Sequence, residues 1–276
     1  MSFLLHTERV AAGTPRRWAY VLHGIFGSAA NWRLFMRTLS RACPDWGFVL
    51  VDQRGHHRSR GALAPHTIVA MADDLIQTEQ KLAETIDGVV GHSLGGKVAL
   101  AYADRRRAGG RAPLAQMWVL DAQPGASPGA RPGGMTVEVL ETLEALPATF
   151  ARRADFVAAV RQAGQSEMVA AWLAMNVRRG DDGRYALALD LPALRSILWD
   201  YHAHDAWGVL ESASRAARET HVVVGQRSYV WAPGDEARLA ALDDVAVLTL
   251  PEAGHWVHVD APEAIQGAMR VAFAKA

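Results

Sequence analysis

The 276-residue sequence predicts an α/β fold: a mostly parallel central sheet with helices on both faces and a helical insertion in the second half. Short runs rich in valine and leucine alternate with helical patterns. These runs are continuously apolar, which is typical of strands buried on both faces of a parallel sheet. Residues 135–218 lack such runs and are mostly helical, which predicts the insertion.

Six apolar runs predict the strands, and several of them end in a glycine turn. They cover residues 16–24, 47–55, 88–93, 114–122, 220–225 and 245–255. Helical patterns lie between and after them. These cover residues 31–42, 67–86, a stretch from Leu94, residues 234–244 and a last stretch from Ala261.

The chain divides into a core domain and one insertion. Residues 123–134 are dense in proline and glycine and predict a loop. The helical stretch 135–218 follows, with a polar interruption at 178–190 that is either a small hairpin or a loop. We expect residues 1–134 and 219–276 to form the core. The insertion is then a cap over the carboxyl edge of the sheet, where such folds bind ligands.

Composition excludes several classes of function. Lys+Arg and Asp+Glu both total 29, so a balanced chain offers no general reason to bind nucleic acid or an acidic membrane. No apolar run is long enough to span a membrane, and Glu8 interrupts the amino-terminal run, unlike a signal peptide. Cys43 is the only cysteine, so no intramolecular disulfide forms. We expect a soluble cytoplasmic protein without a nucleic-acid partner or membrane span.

Ser93 is the candidate nucleophile. It lies in GHSLG, which fits Gly-x-Ser-x-Gly directly after a predicted strand and directly before a predicted helix. The sharp turn in this context lifts the serine oxygen clear of the sheet. The flanking Gly91 and Gly95 are required because a Cβ would collide in so tight a turn.

His255 is the candidate base, since this arrangement places the histidine last, after the serine and the acid. It follows the last predicted strand, in the sequence EAGHWVH. His258, three residues later, recedes from the site. We therefore prefer His255.

The candidate acid is Asp121, at the carboxyl end of the strand after the nucleophile. The strand at 220–225 is followed by Gln226, Arg227 and Ser228 instead of a carboxylate. Both strands open on the same crevice, so an acid on either one reaches the histidine. Asp205, near the end of the helical block, is the alternative.

The oxyanion donors are expected to be backbone N–H groups of Leu94 and of Ile25 in the first loop, with Phe26 as the second choice. His23 is interpreted as a structural turn residue. Aromatic residues near these positions predict an apolar acyl pocket. They are Phe26, Trp32, Tyr229 and Trp256.

The segments HGIFGS, DQRGHHRS, GHSLGG, LDAQPG and AGHWVH resemble the α/β-hydrolase superfamily across nearly the whole chain. Within it they are most similar to YbfF-type short-chain acyl esterases and their mitochondrial relatives. The segment GQRSYV, in place of an acid, belongs to this closer match. The resemblance implies the α/β-hydrolase fold and the triad Ser93–Asp121–His255. His57 replaces the usual glycine, and the cap matches weakly.

The expected reaction is hydrolysis of carboxylic esters with short to medium acyl chains through an acyl-enzyme, on a small-molecule substrate and without metal or organic cofactor. Thioester and carbon–carbon bond hydrolysis use the same triad and remain alternatives. Arg178 and Arg179 would be the cationic anchors for the dienolic acids of the latter. A non-catalytic binding protein of the same fold is a further alternative. The sequence leaves the oligomeric state open.

Overall fold

Nine strands form two sheets in the computed structural model, which describes residues 3–127 and 134–275. The strands are β1 (Thr7–Val10), β2 (Arg17–Leu22), β3 (Trp46–Val51), β4 (Ile86–His92), β5 (Leu114–Leu120), β6 (Val177–Arg179), β7 (Tyr185–Leu187), β8 (Ala217–Gly225) and β9 (Val245–Leu250). Seven of them form the central sheet, in the order β1-β3-β2-β4-β5-β8-β9. Only β1 is antiparallel to its neighbour. The prediction of a mostly parallel sheet is confirmed.

Helices cover both faces of this sheet. They are α1 (Arg33–Ala42), α2 (Ile68–Glu79), α3 (Leu94–Ala108), α4 (Met135–Ala145), α5 (Arg153–Gln162), α6 (Glu167–Ala174), α7 (Leu191–Ala203), α8 (Trp207–Leu210), α9 (Ala213–Ala216), α10 (Asp235–Ala240), α11 (Val257–Asp260) and α12 (Pro262–Lys275). Alternate residues of β2 enter two separate cores: Tyr20 packs with α2 and α3, and Val21 packs with α1 and α12. This is why the central strands contain continuous apolar runs.

Some element boundaries differ from the prediction. The edge strand β1 was not predicted, because it is short and carries Glu8 and Arg9, so it has no continuous apolar run. The helix predicted at 67–86 ends at Glu79, and a turn then leads to β4. The last helix begins at Pro262, next to its predicted start at Ala261, and the short helix α11 before it was not predicted.

The segment between β5 and β8 is helical except for one hairpin. The polar interruption forms that hairpin from the antiparallel strands β6 and β7. Helices α8 and α9 contact α3, so they lie against the sheet's own helices. The loop predicted at 123–134 is described up to Ser127 and again at Gly134, and residues 128–133 lie outside the described residues.

A buried lysine connects α3 to this segment. Lys97 is 1% exposed, and its Nζ donates to the carbonyl oxygens of Gly125, Tyr201 and His204 at 2.8, 2.7 and 3.0 Å. The ammonium also lies 4.2 Å from the centroid of the Tyr201 ring. One cation thus holds α3, the segment after β5 and the carboxyl end of α7 together.

Within residues 3–127 and 134–275, no helix combines the length and the apolar character needed to cross a membrane.

Candidate active site

Ser93 occupies a strained turn between β4 and α3. Its φ is +54°, a conformation that side chains other than glycine rarely adopt. A Cβ on Gly91 would lie 2.0 Å from the carbonyl oxygen of Gly95, and one on Gly95 would lie 2.4 Å from that of Leu22. The turn therefore requires both glycines.

The structure brings Ser93, His255 and Asp121 into one hydrogen-bonded line. The Ser93 hydroxyl donates to His255 Nε2 at 3.0 Å, and His255 Nδ1 donates to Asp121 Oδ2 at 2.7 Å. This tautomer leaves Nε2 free to accept the serine proton. The arrangement has the geometry of a nucleophile, a base and an orienting acid.

Backbone hydrogen bonds between adjacent strands fix Ser93 and Asp121 relative to each other. The Ser93 N–H donates to the Leu120 carbonyl at 3.0 Å, and the Asp121 N–H donates to the Val223 carbonyl at 2.8 Å. Both residues directly follow strands of the sheet, β4 and β5. The crevice at the carboxyl ends of β4, β5 and β8 therefore contains the line of three side chains.

Four donors surround the fully buried Asp121 carboxylate. Oδ1 accepts from the N–H of Gly225 at 2.9 Å and from Trp231 Nε1 at 2.8 Å. Oδ2 accepts from the Ser228 hydroxyl at 2.5 Å, in addition to His255. An ionised carboxylate accepts all four hydrogen bonds, whereas a protonated one does not. Ser228 lies inside GQRSYV, where no role was predicted for it, and Trp231 was not predicted.

The alternative acid Asp205 lies elsewhere. Its Oδ1 accepts from the N–H of Trp207 at 2.8 Å, at the start of α8. The described residues contain no hydrogen bond between Asp205 and His255. The geometry favours Asp121.

The neighbouring histidines hold the His255 loop. His92 Nε2 donates to the His255 carbonyl at 2.8 Å, and burial lowers the pKa of His92 well below its ordinary value. His258 stacks on Trp32 with ring centroids 4.3 Å apart, and burial lowers its pKa to about 4. Both rings are therefore neutral at pH 7, and the role of His92 was not predicted.

The first loop passes directly beside Ser93. A Cβ on Gly24 would lie 3.3 Å from Ser93 Cβ, and the turn is closed by the Gly27 N–H donating to the Gly24 carbonyl. Phe26 in this turn has a φ of +59°. Among the hydrogen bonds of the described residues, none uses the N–H of Leu94, Ile25 or Phe26, so these groups remain available as donors to an oxyanion.

His23 is a structural residue of this loop. Its Nδ1 donates to the Gly24 carbonyl at 2.8 Å, and its Nε2 accepts from the Gln53 N–H at 3.1 Å. Burial lowers the pKa of His23 to about 3, so the ring stays neutral. Both ring nitrogens are occupied by backbone groups, which agrees with the turn role expected from the sequence.

A cavity of about 740 Å³ opens at Ser93 and His255, and it is mostly apolar. All four predicted aromatic residues line it, together with Trp172, which was not predicted. The predicted ones are Phe26, Trp32, Tyr229 and Trp256. Glu263 is the one charged carboxylate among the described lining residues, and they include no lysine or arginine.

The candidate cationic anchors lie outside this cavity. Arg178 donates to the Met175 carbonyl at 2.6 Å and to His57 Nδ1 at 3.3 Å, and Arg179 donates to the Gly183 carbonyl. His57 in turn donates through Nε2 to Asn176 Oδ1 at 2.7 Å, and Asn176 donates to the Phe26 carbonyl at 2.8 Å. The unusual histidine thus links the first loop to the hairpin region.

We expect Trp231→Phe to lower kcat for an ester substrate about tenfold, because one charge-assisted hydrogen bond to Asp121 is lost and the acid orients His255 less well. KM should stay unchanged, since Trp231 does not line the cavity. Steady-state kinetics measure this. Trp199→Phe on α7 is the matched control, and an equal loss in both variants would contradict the positioning role.

Known proteins are similar to this chain over most of its length. The profile of the alpha/beta hydrolase family matches residues 19–266. The chain is 28% identical to the sn-1-specific diacylglycerol lipase ABHD11 of Mus musculus over 253 residues, which cover 88% of this chain and 76% of that protein. It is 27% identical to Esterase YbfF of Escherichia coli (strain K12) over 262 residues, covering 91% and 90%. A solved marine microorganism esterase superposes with a TM-score of 0.80 at 20% identity, over 97% of this chain and 98% of that one. The family match spans most of the chain and confirms the resemblance seen in the motifs: the chain belongs to the alpha/beta hydrolase family.

Proposed function

We propose that this hydrolase cleaves uncharged carboxylic esters with short to medium acyl chains, using Ser93, His255 and Asp121 as a catalytic triad. The observation that carries the proposal is the hydrogen-bonded line from Ser93 Oγ to Asp121, which opens on an apolar cavity whose described lining residues include no lysine or arginine. The esterase and lipase names of the two curated relatives support it.

The proposed reaction has two steps. His255 accepts the proton of Ser93 as the hydroxyl oxygen attacks the ester carbonyl, and Asp121 stabilises the imidazolium. The N–H groups of Leu94 and Ile25 bind the tetrahedral oxyanion, and each donor contributes roughly 3 kcal/mol in comparable sites. The imidazolium then protonates the leaving alcohol. Water activated by His255 hydrolyses the acyl-enzyme and frees Ser93.

We further propose that residues 135–218 act as a cap on a core of residues 1–134 and 219–276. Met135 and Val139 of α4 and Val169 and Trp172 of α6 line the cavity opposite Ser93. Trp172 packs against Trp256 with ring centroids 5.6 Å apart. The cap thereby sets the size and apolarity of the acyl site.

The described residues that line the cavity include no lysine or arginine, which disfavours anionic substrates. A carboxylate that enters an apolar cavity without a partner loses several kcal/mol of hydration. Arg178 and Arg179 do not offset this cost, because neither lines the cavity. Carbon–carbon hydrolysis of dienolic acids is therefore disfavoured relative to hydrolysis of neutral esters.

The test is a panel of p-nitrophenyl esters from acetate to decanoate, with the monosuccinate as the anionic counterpart of the butyrate. We expect kcat/KM for the butyrate to exceed that for the monosuccinate by at least about a hundredfold. Titration with a p-nitrophenyl alkylphosphonate should release one p-nitrophenolate per chain and abolish turnover.

Three outcomes would contradict the proposal. A preference for the monosuccinate would show that an anionic group is bound after all. A protein inert towards every ester but active on a phenyl thiobutyrate would favour thioester hydrolysis, and inertness towards both would favour a binding role.

A further inference from the structure

The mouth of the cavity carries a concentration of exposed apolar side chains. Leu34 is 75% exposed, Val259 is 64% exposed and Met168 is 63% exposed, although all three line the cavity. Three other exposed apolar or aromatic residues line it as well. They are Met135, Met175 and Tyr229. We call these six residues the apolar rim, and they come from separate elements around one opening.

Arginines lie beside this rim. Arg178 donates to the carbonyl of the rim residue Met175, and Arg153 donates to the Val177 carbonyl at 3.0 Å. Burial is the largest cause that lowers the pKa of Arg178, and the charges of Arg153, Arg33 and Arg58 lower it further, while Asp52 opposes them. Several arginines therefore lie close enough to one another to interact.

The exposed face of α1 continues this positive surface. Arg33, Arg37 and Arg41 are exposed on the same helix as the rim residue Leu34, and α1 contains no acidic residue. Arg33 pairs with Glu8, whereas Arg37, Arg58, Arg153 and Arg178 have no salt bridge within the described residues. We call these four residues the arginine cluster. The zero net charge of the chain therefore hides a local excess of positive charge.

We propose that the apolar rim and the arginine cluster together form a docking face for the surface of an anionic phospholipid membrane, from which an uncharged lipid ester enters the cavity. The role of the docking face in supplying substrate rests on the proposed ester hydrolysis, whereas membrane binding itself is tested without catalysis. Exposed apolar side chains insert at the boundary of headgroups and acyl chains, and arginines at that depth bind anionic headgroups.

The position of the rim favours a lipid surface over an acidic protein. The rim residues are exposed and line the cavity that contains Ser93, so a folded partner covering them would obstruct access to it. A lipid leaflet in the same place presents acyl chains to the entrance. Arg37 lies on the same helix as the rim residue Leu34, and Arg178 donates to the carbonyl of the rim residue Met175, so headgroups at the rim would meet positive charge.

The experiment measures sedimentation with vesicles of phosphatidylcholine alone or of phosphatidylcholine with phosphatidylglycerol. The whole chain is used with Ser93→Ala, so that no lipid is cleaved and binding is independent of catalysis. We expect binding to the mixed vesicles to be at least about tenfold tighter, and to weaken as NaCl is raised.

Two double variants separate the contributions. Arg37→Gln/Arg58→Gln should weaken binding to the mixed vesicles about tenfold, and Leu34→Ser/Val259→Ser should weaken it by a similar factor. The matched controls are Arg161→Gln/Arg215→Gln and Leu63→Ser/Val271→Ser. These replace exposed residues that do not line the cavity, and binding should stay within about twofold of the parent.

Several results would overturn the docking face. It is wrong if the protein fails to sediment with mixed vesicles, or if the controls lose as much binding as the rim and cluster variants. A further result against it is binding to soluble polyglutamate that is as tight as binding to the mixed vesicles, with no loss in Leu34→Ser/Val259→Ser. That result would show that the arginines attract any polyanion, including an acidic protein.

With Ser93 intact, Arg37→Gln/Arg58→Gln should hydrolyse soluble esters at the parental rate. Failure of vesicle binding with normal ester hydrolysis therefore removes this inference alone.

Discussion

Ser93→Ala is expected to lower kcat for p-nitrophenyl butyrate by about 10⁴-fold or more, because no other group at the site replaces the attacking oxygen. Asp121→Asn should lower kcat by at least about a thousandfold. The four donors around Asp121 need an acceptor on both oxygens, and an amide supplies one oxygen only. Stopped assays at saturating ester measure both.

Each of the two variants has a matched control of the same residue type. Ser196→Ala removes an exposed hydroxyl on α7 and should leave kcat unchanged. Asp205→Asn should also retain activity, because Asp205 caps α8. The double variant Ser93→Ala/Asp121→Asn should be no slower than Ser93→Ala alone, since triad members act as one unit. Residual activity in Asp121→Asn together with loss in Asp205→Asn would reverse the assignment of the acid.

Lys97→Met should lower the free energy of unfolding by about 3 kcal/mol, because three buried carbonyl oxygens lose their donor. Lys81→Met is the matched control: Lys81 is exposed, so its change should stay within about 0.5 kcal/mol. Urea denaturation at pH 7 measures both. Equal midpoints for wild type and Lys97→Met would show that the lysine merely fills space.

The pH dependence provides an independent check. Burial lowers the pKa of Lys97 from 10.5 to about 8, so between these values the unfolded chain binds more protons than the folded one. The contribution of Lys97 to the free energy of unfolding therefore rises with pH between about 8 and 10.5. The wild type should gain free energy of unfolding relative to Lys97→Met from pH 8 to pH 10. Asp200, Asp205 and Asp235 face the ammonium and limit the shift.

Site residues that follow from local sequence context could be predicted. Site residues that contact the others only through the folded chain could not. Ser93 and His255 follow from a strand, a turn and a chain order. Asp121 additionally required the inference that two strand ends share a crevice, which the register of β5 with β4 and β8 supports. Trp231 gave no local signal, because its hydrogen bond to Asp121 spans 110 residues of sequence.

Other differences have equally physical origins. The edge strand β1 pairs on one side only and needs no continuous apolar run, so its charged residues concealed it. The sequence of residues 178–190 allows either a hairpin or a loop, because strands of three residues such as β6 and β7 carry too little pattern to decide. The apolar rim was hidden as well, since single exposed methionines and leucines form a surface only after the chain has folded.

The placement of Asp121 after β5 has a consequence for motion in the site. Backbone hydrogen bonds of the sheet hold both Ser93 and Asp121, so these two residues move with the most rigid part of the molecule. His255 lies on a loop that is held by the imidazole of His92 and by Asp260, which accepts from the Gly254 N–H at 2.8 Å. In the proposed mechanism, proton transfer therefore depends on the position of the His255 loop, and a displacement of this loop would leave Ser93 and Asp121 in place. In hydrogen exchange, we expect the amides of Ser93 and Asp121 to fall in the slowest class and those of the His255 loop to exchange faster.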